Sequence, residues 1–96
     1  MSAYTYILKC SNNTYYTGST IDLQKRLTQH QQGLGANYTK KHLPVELVYF
    51  ENHLDIKQAF QREKQIQGWS KKKKEALVNG NTENLSQFSK KVFDKK

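Results

Sequence analysis

Ninety-six residues, 35% of them hydrophobic, can build one small core and leave no material for a second. Sixteen Lys and Arg against eight Asp and Glu give a net charge of +8, which suits a polyanionic partner because cationic side chains release counterions from nucleic-acid phosphates, although net charge also serves solubility. The single cysteine excludes an internal disulfide. With no apolar run of membrane-spanning length and no basic-then-apolar start, a cytoplasmic location without membrane attachment is expected.

Residues 4–10 alternate as a strand does, with Tyr4, Tyr6, Leu8 and Cys10 on one face and Thr5, Ile7 and Lys9 on the other. Cys10 reads as core filler, not as a nucleophile. Thr14 to Gly18 supplies a second strand, and the parity of the loop between them decides which side chains cooperate. A two-residue turn at Asn12 and Asn13 would send Tyr6 and Tyr16 to opposite faces. A three-residue loop from Ser11 to Asn13 pairs Cys10 with Thr14 and keeps both tyrosines on one face; this is the register we expect. Ordinary packing is the other reading of the tyrosines, since they are favoured on half-buried sheets. Gly18, ending the strand, would let a ligand or helix come close to the backbone.

Thr20 or Asp22 can cap a helix that starts near Leu23. Leu23, Leu27 and His30 form its core-facing stripe, which Arg26 and His30 flank one turn apart. A snorkelling arginine and a half-buried histidine would look the same in sequence. Two glycines and a proline predict a loop over residues 33–44. There Tyr38, Lys40 and Lys41 could stack on a base and contact phosphates, or simply face solvent. Pro44 leads into a strand from Val45 to Glu51, whose near-continuous apolar run suggests cover on both faces.

Asp55 opens the next helix, along which Ile56, Ala59, Phe60 and Ile66 make an apolar stripe with Glu63 in its middle. A buried carboxylate there needs a partner: a divalent cation, an arginine such as Arg26, or a proton. Gly68 ends or kinks the helix, and Trp69 is the expected large anchor to the core. Ser70 caps a further helix carrying Lys71, Lys72, Lys73 and Lys74, either a solvated face or the extension of a nucleic-acid track. Leu85, Phe88, Val92 and Phe93 keep helical spacing, predicting a last helix over Glu83 to Phe93. Together these elements predict an α/β fold: a three-stranded sheet, hairpin plus one strand, flanked by helices, in one domain over 1–96 with its core at 3–80.

Thr5-Tyr6-Ile7, Tyr16-Thr17-Gly18, Arg26, His30 and Glu63, in that order, resemble the GIY-YIG nuclease family across most of the chain, its small stand-alone bacterial members above all. The resemblance implies a metal-dependent endonuclease that hydrolyses DNA phosphodiester bonds. In it Glu63 would hold one Mg²⁺ or Mn²⁺ ion and Arg26 would bind the scissile phosphate. Tyr16 would orient or deprotonate the attacking water with Tyr6 and His30 assisting, and Gly18 would permit close approach at the strand end. Thr5 stands where the family name has glycine, Thr17 fills the middle of the second tripeptide, and Ser19-Thr20 follow where some members carry a lysine. The family's late asparagine has no assigned match, Asn79 being the nearest. The alternatives are a nucleic-acid-binding module without catalysis, and a catalytic domain directed by a partner protein. A pure binder gains nothing from Glu63, because a carboxylate without a cation repels phosphate.

Overall fold

The computed structural model describes residues 2–80, so the helix expected over Glu83 to Phe93 lies outside them. In chain order the elements are β1 (Ala3–Lys9), β2 (Tyr15–Thr20), α1 (Leu23–Gln31), α2 (Asn37–Lys40), β3 (Glu46–His53), α3 (Ile56–Gln67) and α4 (Lys71–Asn79). The strands form an antiparallel sheet in the order β2-β1-β3, which leaves β2 at an edge.

The odd-length hairpin loop is the one that forms. Cys10 N–H donates to Thr14 O at 2.8 Å and Asn13 N–H to Cys10 O at 2.9 Å. Asn13 takes φ +66°, a left-handed conformation that asparagine tolerates. Tyr6 therefore pairs with Gly18 and Leu8 with Tyr16, and both tyrosines share a face.

That face, with Tyr6, Leu8 and Cys10, packs on Leu23 and Leu27 of α1 and on Val45 and Leu47. The opposite face packs Ile7 and Tyr49 on Ile66 of α3, with Leu77 and Val78 of α4 at the margin. A bulge explains the continuous apolar run of β3. The register slips so that Ile7 meets Tyr49 while Leu8 meets Leu47, leaving Val48 as the extra residue. Leu47 and Tyr49, two apart in sequence, consequently enter opposite cores.

Three helices carry side-chain caps, each worth about 1 kcal/mol: Asp22 accepts from Lys25 N, Asp55 from Gln58 N and Ser70 from Lys73 N. The expected loop over residues 33–44 instead contains one helical turn, α2. It forms because Ala36 O accepts from Lys40 N–H and from Thr39 Oγ1, both at 3.0 Å, and because Thr39 is buried. α3 is fixed to the sheet by Thr5 Oγ1, which donates to Ala59 O at 2.7 Å. It is fixed again by Arg62, whose Nε donates to both Glu51 oxygens at 3.0 Å. Tyr49 donates its hydroxyl to the same carboxylate. Trp69 is not the central anchor its size suggests; it lies half-buried at the core margin, with Arg62 and Lys73 over its ring at 5.0 and 4.3 Å.

Two stability outcomes follow. Thr17 is 4% exposed and, among the described residues, its Oγ1 has no hydrogen-bond partner. Thr17→Val removes that orphaned hydroxyl and should raise unfolding stability by about 1 kcal/mol, read as a higher urea midpoint at unchanged slope. A lower midpoint would mean that the hydroxyl is satisfied after all. Burial pushes Glu51 up, but the hydrogen bonds from Arg62 and Tyr49 outweigh it and hold the carboxyl below its ordinary range. A depressed folded value means stability that is present near neutrality and lost as pH falls through and below the usual glutamate value, near pH ~4. Denaturant titrations against pH should show that loss in the wild type, and a lower, flatter acid limb in Glu51→Gln.

Candidate active site

β2 presents its two sides to different helices. Tyr16 and Gly18 face the α1 layer with Tyr6, while Ser19 faces α3. Gly18 pairs with Tyr6, and a Cβ there would lie 2.5 Å from Tyr6 Oη and 2.6 Å from Cζ. What comes close to the Gly18 backbone is thus the chain's own phenol, which crosses the strand to reach His30.

His30 is wholly buried, as its place in the core-facing stripe with Leu23 and Leu27 predicts, and is not the half-buried histidine of the alternative reading. Its Nε2 lies 2.9 Å from Tyr6 Oη and its Nδ1 2.8 Å from Thr39 Oγ1. Gly35 is required on the other side of the ring, since a Cβ on it would overlap the imidazole. The Tyr16 ring sits 5.3 Å from the imidazole, and its hydroxyl has no protein hydrogen bond among the described residues. Arg26, half-buried, donates from Nη1 to Gln29 Oε1 at 3.1 Å and keeps further donors for a ligand.

Burial pushes Tyr6 up to about 12, against the pull of the nearby Arg26 guanidinium. Burial, then the charge of Glu63, also raises Tyr16, with Arg26 opposing. Burial, then Arg26, brings His30 down to about 4. Near neutrality the site thus holds two protonated phenols and an uncharged imidazole, a set able to receive and pass on a proton.

Glu63 is not in the middle of a buried stripe. Ile56 and Phe60 are 45% and 50% exposed, and only Ala59 and Ile66 are covered. A three-stranded sheet is too narrow to bury the whole apolar side of α3, so Glu63 sits half-buried at its margin. It makes no ion pair with Arg26; the ion pairs among the described residues belong to Glu51. Its oxygens accept instead from Ser19 Oγ at 2.6 Å and Gln67 Nε2 at 2.8 Å. Those two donors are neutral and leave lone pairs for a cation. Among the described residues no cluster of three His, Cys, Asp or Glu exists. A cation here would have Glu63 as its carboxylate and complete its shell with water and substrate oxygens, which suits Mg²⁺.

Sequence reasoning did not reach Ser19, Gln67, Gly35 or Thr39. Gln67 lies one turn after Glu63, a spacing that could have indicated it. Of the nucleic-acid candidates, Tyr38 is half-exposed and its hydroxyl bonds to Thr14 Oγ1 at 2.6 Å and Asn12 Nδ2 at 3.2 Å, tying α2 to the hairpin loop. Lys40, Lys41, Lys71, Lys72 and Lys73 are exposed and Lys74 partly so. Lys71 and Lys74 line an open pocket of about 190 Å³ with Thr14 and Tyr15. Asn79 is exposed at the end of α4. No helix among the described residues is long and apolar enough to cross a membrane.

The model of the GIY-YIG catalytic domain matches residues 2–76. A UPF0213 protein of Bacillus pumilus is 44% identical over 75 residues, covering 78% of this chain and 76% of its own. Another from Natronomonas pharaonis is 43% identical over 79 residues, 82% and 93% of the two chains. The solution structure of a UPF0213 protein from Bacillus halodurans superposes with a TM-score of 0.57 at 33% identity, over 94% of this chain and 96% of that one. A solution structure of an E. faecalis protein gives 0.56 at 30% identity, over 83% and 85%. The match takes in both tripeptide strands, the Arg26–His30 helix and the helix of Glu63, and on that footing the chain belongs to the GIY-YIG catalytic domain family.

Proposed function

We propose that the chain is an endonuclease hydrolysing phosphodiester bonds in DNA, with one divalent cation, Mg²⁺ or Mn²⁺, held by Glu63. The observation that carries this reading is the meeting of two unlike groups at one edge strand. On one side of β2 lies a buried phenol–imidazole pair, Tyr6 with His30; on the other lies the Glu63 carboxylate, which has no cationic partner among the described residues.

The chemistry needs neutralisation of charge on the phosphate oxygens and removal of a proton from an oriented water. The cation, when bound, would supply Lewis-acid stabilisation of the phosphate and acidify water. Arg26 binds the same phosphate through its fork of donors. Tyr16, whose hydroxyl has no protein partner among the described residues, orients the water. As the water oxygen bonds to phosphorus and the bond to the leaving oxygen breaks, the water's proton passes to the Tyr6–His30 pair. The leaving oxygen takes its proton from solvent. Tyr38, Lys40, Lys41 and the lysines at 71–74 form the backbone-contacting surface, with a protein partner supplying the targeting that so small a basic surface lacks.

Cleavage of single-stranded, duplex and branched DNA and of RNA, with Mg²⁺ or Mn²⁺ and with EDTA, tests the reading. Metal-dependent cutting should fall at least ~100-fold in Glu63→Gln at unchanged binding. Equal binding by both proteins with no cutting on any substrate would leave a binding module instead. DNA affinity should also fall steeply with salt, and replacing both Lys71 and Lys74 by Ala should reduce the log–log slope by roughly 2. An unchanged slope would remove that pocket from the DNA surface.

A further inference from the structure

The hydroxyl–imidazole chain does not stop at His30. Thr39, 0% exposed, lies between the imidazole and a backbone carbonyl, and Gly35 leaves the space that lets this turn press on the ring. We infer that Thr39 is a positioning residue that holds the His30 ring proton on Nδ1, so that Nε2 faces Tyr6 as an acceptor.

The argument is a count of hydrogens. Three short contacts run in series: Tyr6 Oη to His30 Nε2 at 2.9 Å, His30 Nδ1 to Thr39 Oγ1 at 2.8 Å, and Thr39 Oγ1 to Ala36 O at 3.0 Å. A phenol, a neutral imidazole and a hydroxyl bring one hydrogen each. Ala36 O can only accept, so its contact takes the Thr39 hydrogen. Thr39 Oγ1 must then accept from Nδ1–H, and Nε2 is left with its lone pair towards the Tyr6 hydroxyl. In the opposite arrangement Thr39 donates to Nδ1, and its oxygen faces Ala36 O at 3.0 Å with no hydrogen between them, which is repulsive. Which ring nitrogen of a histidine is protonated is set by what the other nitrogen meets.

The consequence, which rests on the nuclease reading, is a direction for proton flow. As Tyr6 Oη takes the proton released by water, it gives its own to Nε2. His30 becomes an imidazolium whose Nδ1–H is still held by Thr39, and the proton count balances. The same residues with the tautomer reversed would point N–H at Tyr6 and leave it no acceptor for its proton.

Long-range ¹H–¹⁵N correlation spectra of the imidazole, recorded at neutral pH beside cleavage kinetics, test both halves. In the wild type His30 should be protonated at Nδ1. Thr39→Val, similar in shape but without the hydroxyl, should give the other tautomer or a mixture. Its kcat should fall about 10- to 100-fold, the usual effect of losing an outer hydrogen-bond partner, with DNA affinity within about 2-fold. Thr39→Ser should restore both the tautomer and the rate, and it decides the matter if the valine variant does not fold. A wild-type proton on Nε2, or a folded Thr39→Val with the wild-type tautomer and rate, would overturn the inference. A wild type protonated at Nδ1 that cuts no nucleic acid would sink the nuclease reading and leave the tautomer assignment standing.

Discussion

Tyr6 reaches His30 by lying across the backbone of β2 at Gly18, and this passage is the constraint from which the site takes its form. A phenol at 2% exposure must find a hydrogen-bond partner or forfeit roughly 1–3 kcal/mol of desolvation. The partner is a histidine in the core stripe of α1, itself wholly buried and subject to the same demand. The series closes through Thr39 on the carbonyl of Ala36, a group that needs donors. A run of polar groups is thereby taken into a lean core without leaving any of them unsatisfied. Thr17, one residue before Gly18, shows the contrast: a buried hydroxyl with no hydrogen-bond partner among the described residues.

The sheet separates the two kinds of chemistry. β1 is buried on both sides and acts as a partition, its Tyr6 and Leu8 turned to α1 and its Thr5 and Ile7 to α3. The Tyr6 and Tyr16 phenols and the imidazole stand on one side of that partition and the Glu63 carboxylate on the other, though its charge still reaches both phenols. Glu63 therefore depends on how α3 is set down. Ala59 against Thr5 fixes its height, and Arg62 on Glu51 fixes its rotation. An arginine adjacent in sequence to Glu63 thus serves it without touching it.

Much of this was legible in the residues. Loop parity left two answers for the tyrosine faces, because the side-chain period is two, and the expected odd-length loop is the one that forms. Thr20 or Asp22, Asp55 and Ser70 marked the helix starts as capping chemistry requires, and of the first two Asp22 is the cap. Glu63 was harder, because apolar spacing records what a helix could bury and not how wide a surface it will meet. Ile56 and Phe60 count as core in the pattern and stand half-exposed on a sheet of three strands. His30 could be read two ways, as a member of the leucine stripe or as a half-buried flank, and it is buried in the stripe with a partner on each ring nitrogen. Thr39 and Gly35 gave no periodic signal at all, lying in a stretch whose glycines and proline read as loop. The bulge at Val48 was equally silent, since it is a property of two strands in register and not of either one.

Sequence separation divides the site in a further way. The Tyr6–His30 contact spans 24 residues, and the Ser19–Glu63 contact spans 44. Closing the longer loop costs only about 0.5 kcal/mol more, so thermodynamics scarcely distinguishes the two halves. The order of synthesis does. A growing chain contains the phenol, the imidazole and the threonine that braces it well before the carboxylate is translated. The half proposed to handle protons is complete in the chain by Thr39, and the half proposed to hold the cation joins it only with α3. A truncated chain that ends before Glu63 would thus carry the groups proposed to handle protons and lack the ligand proposed for the metal.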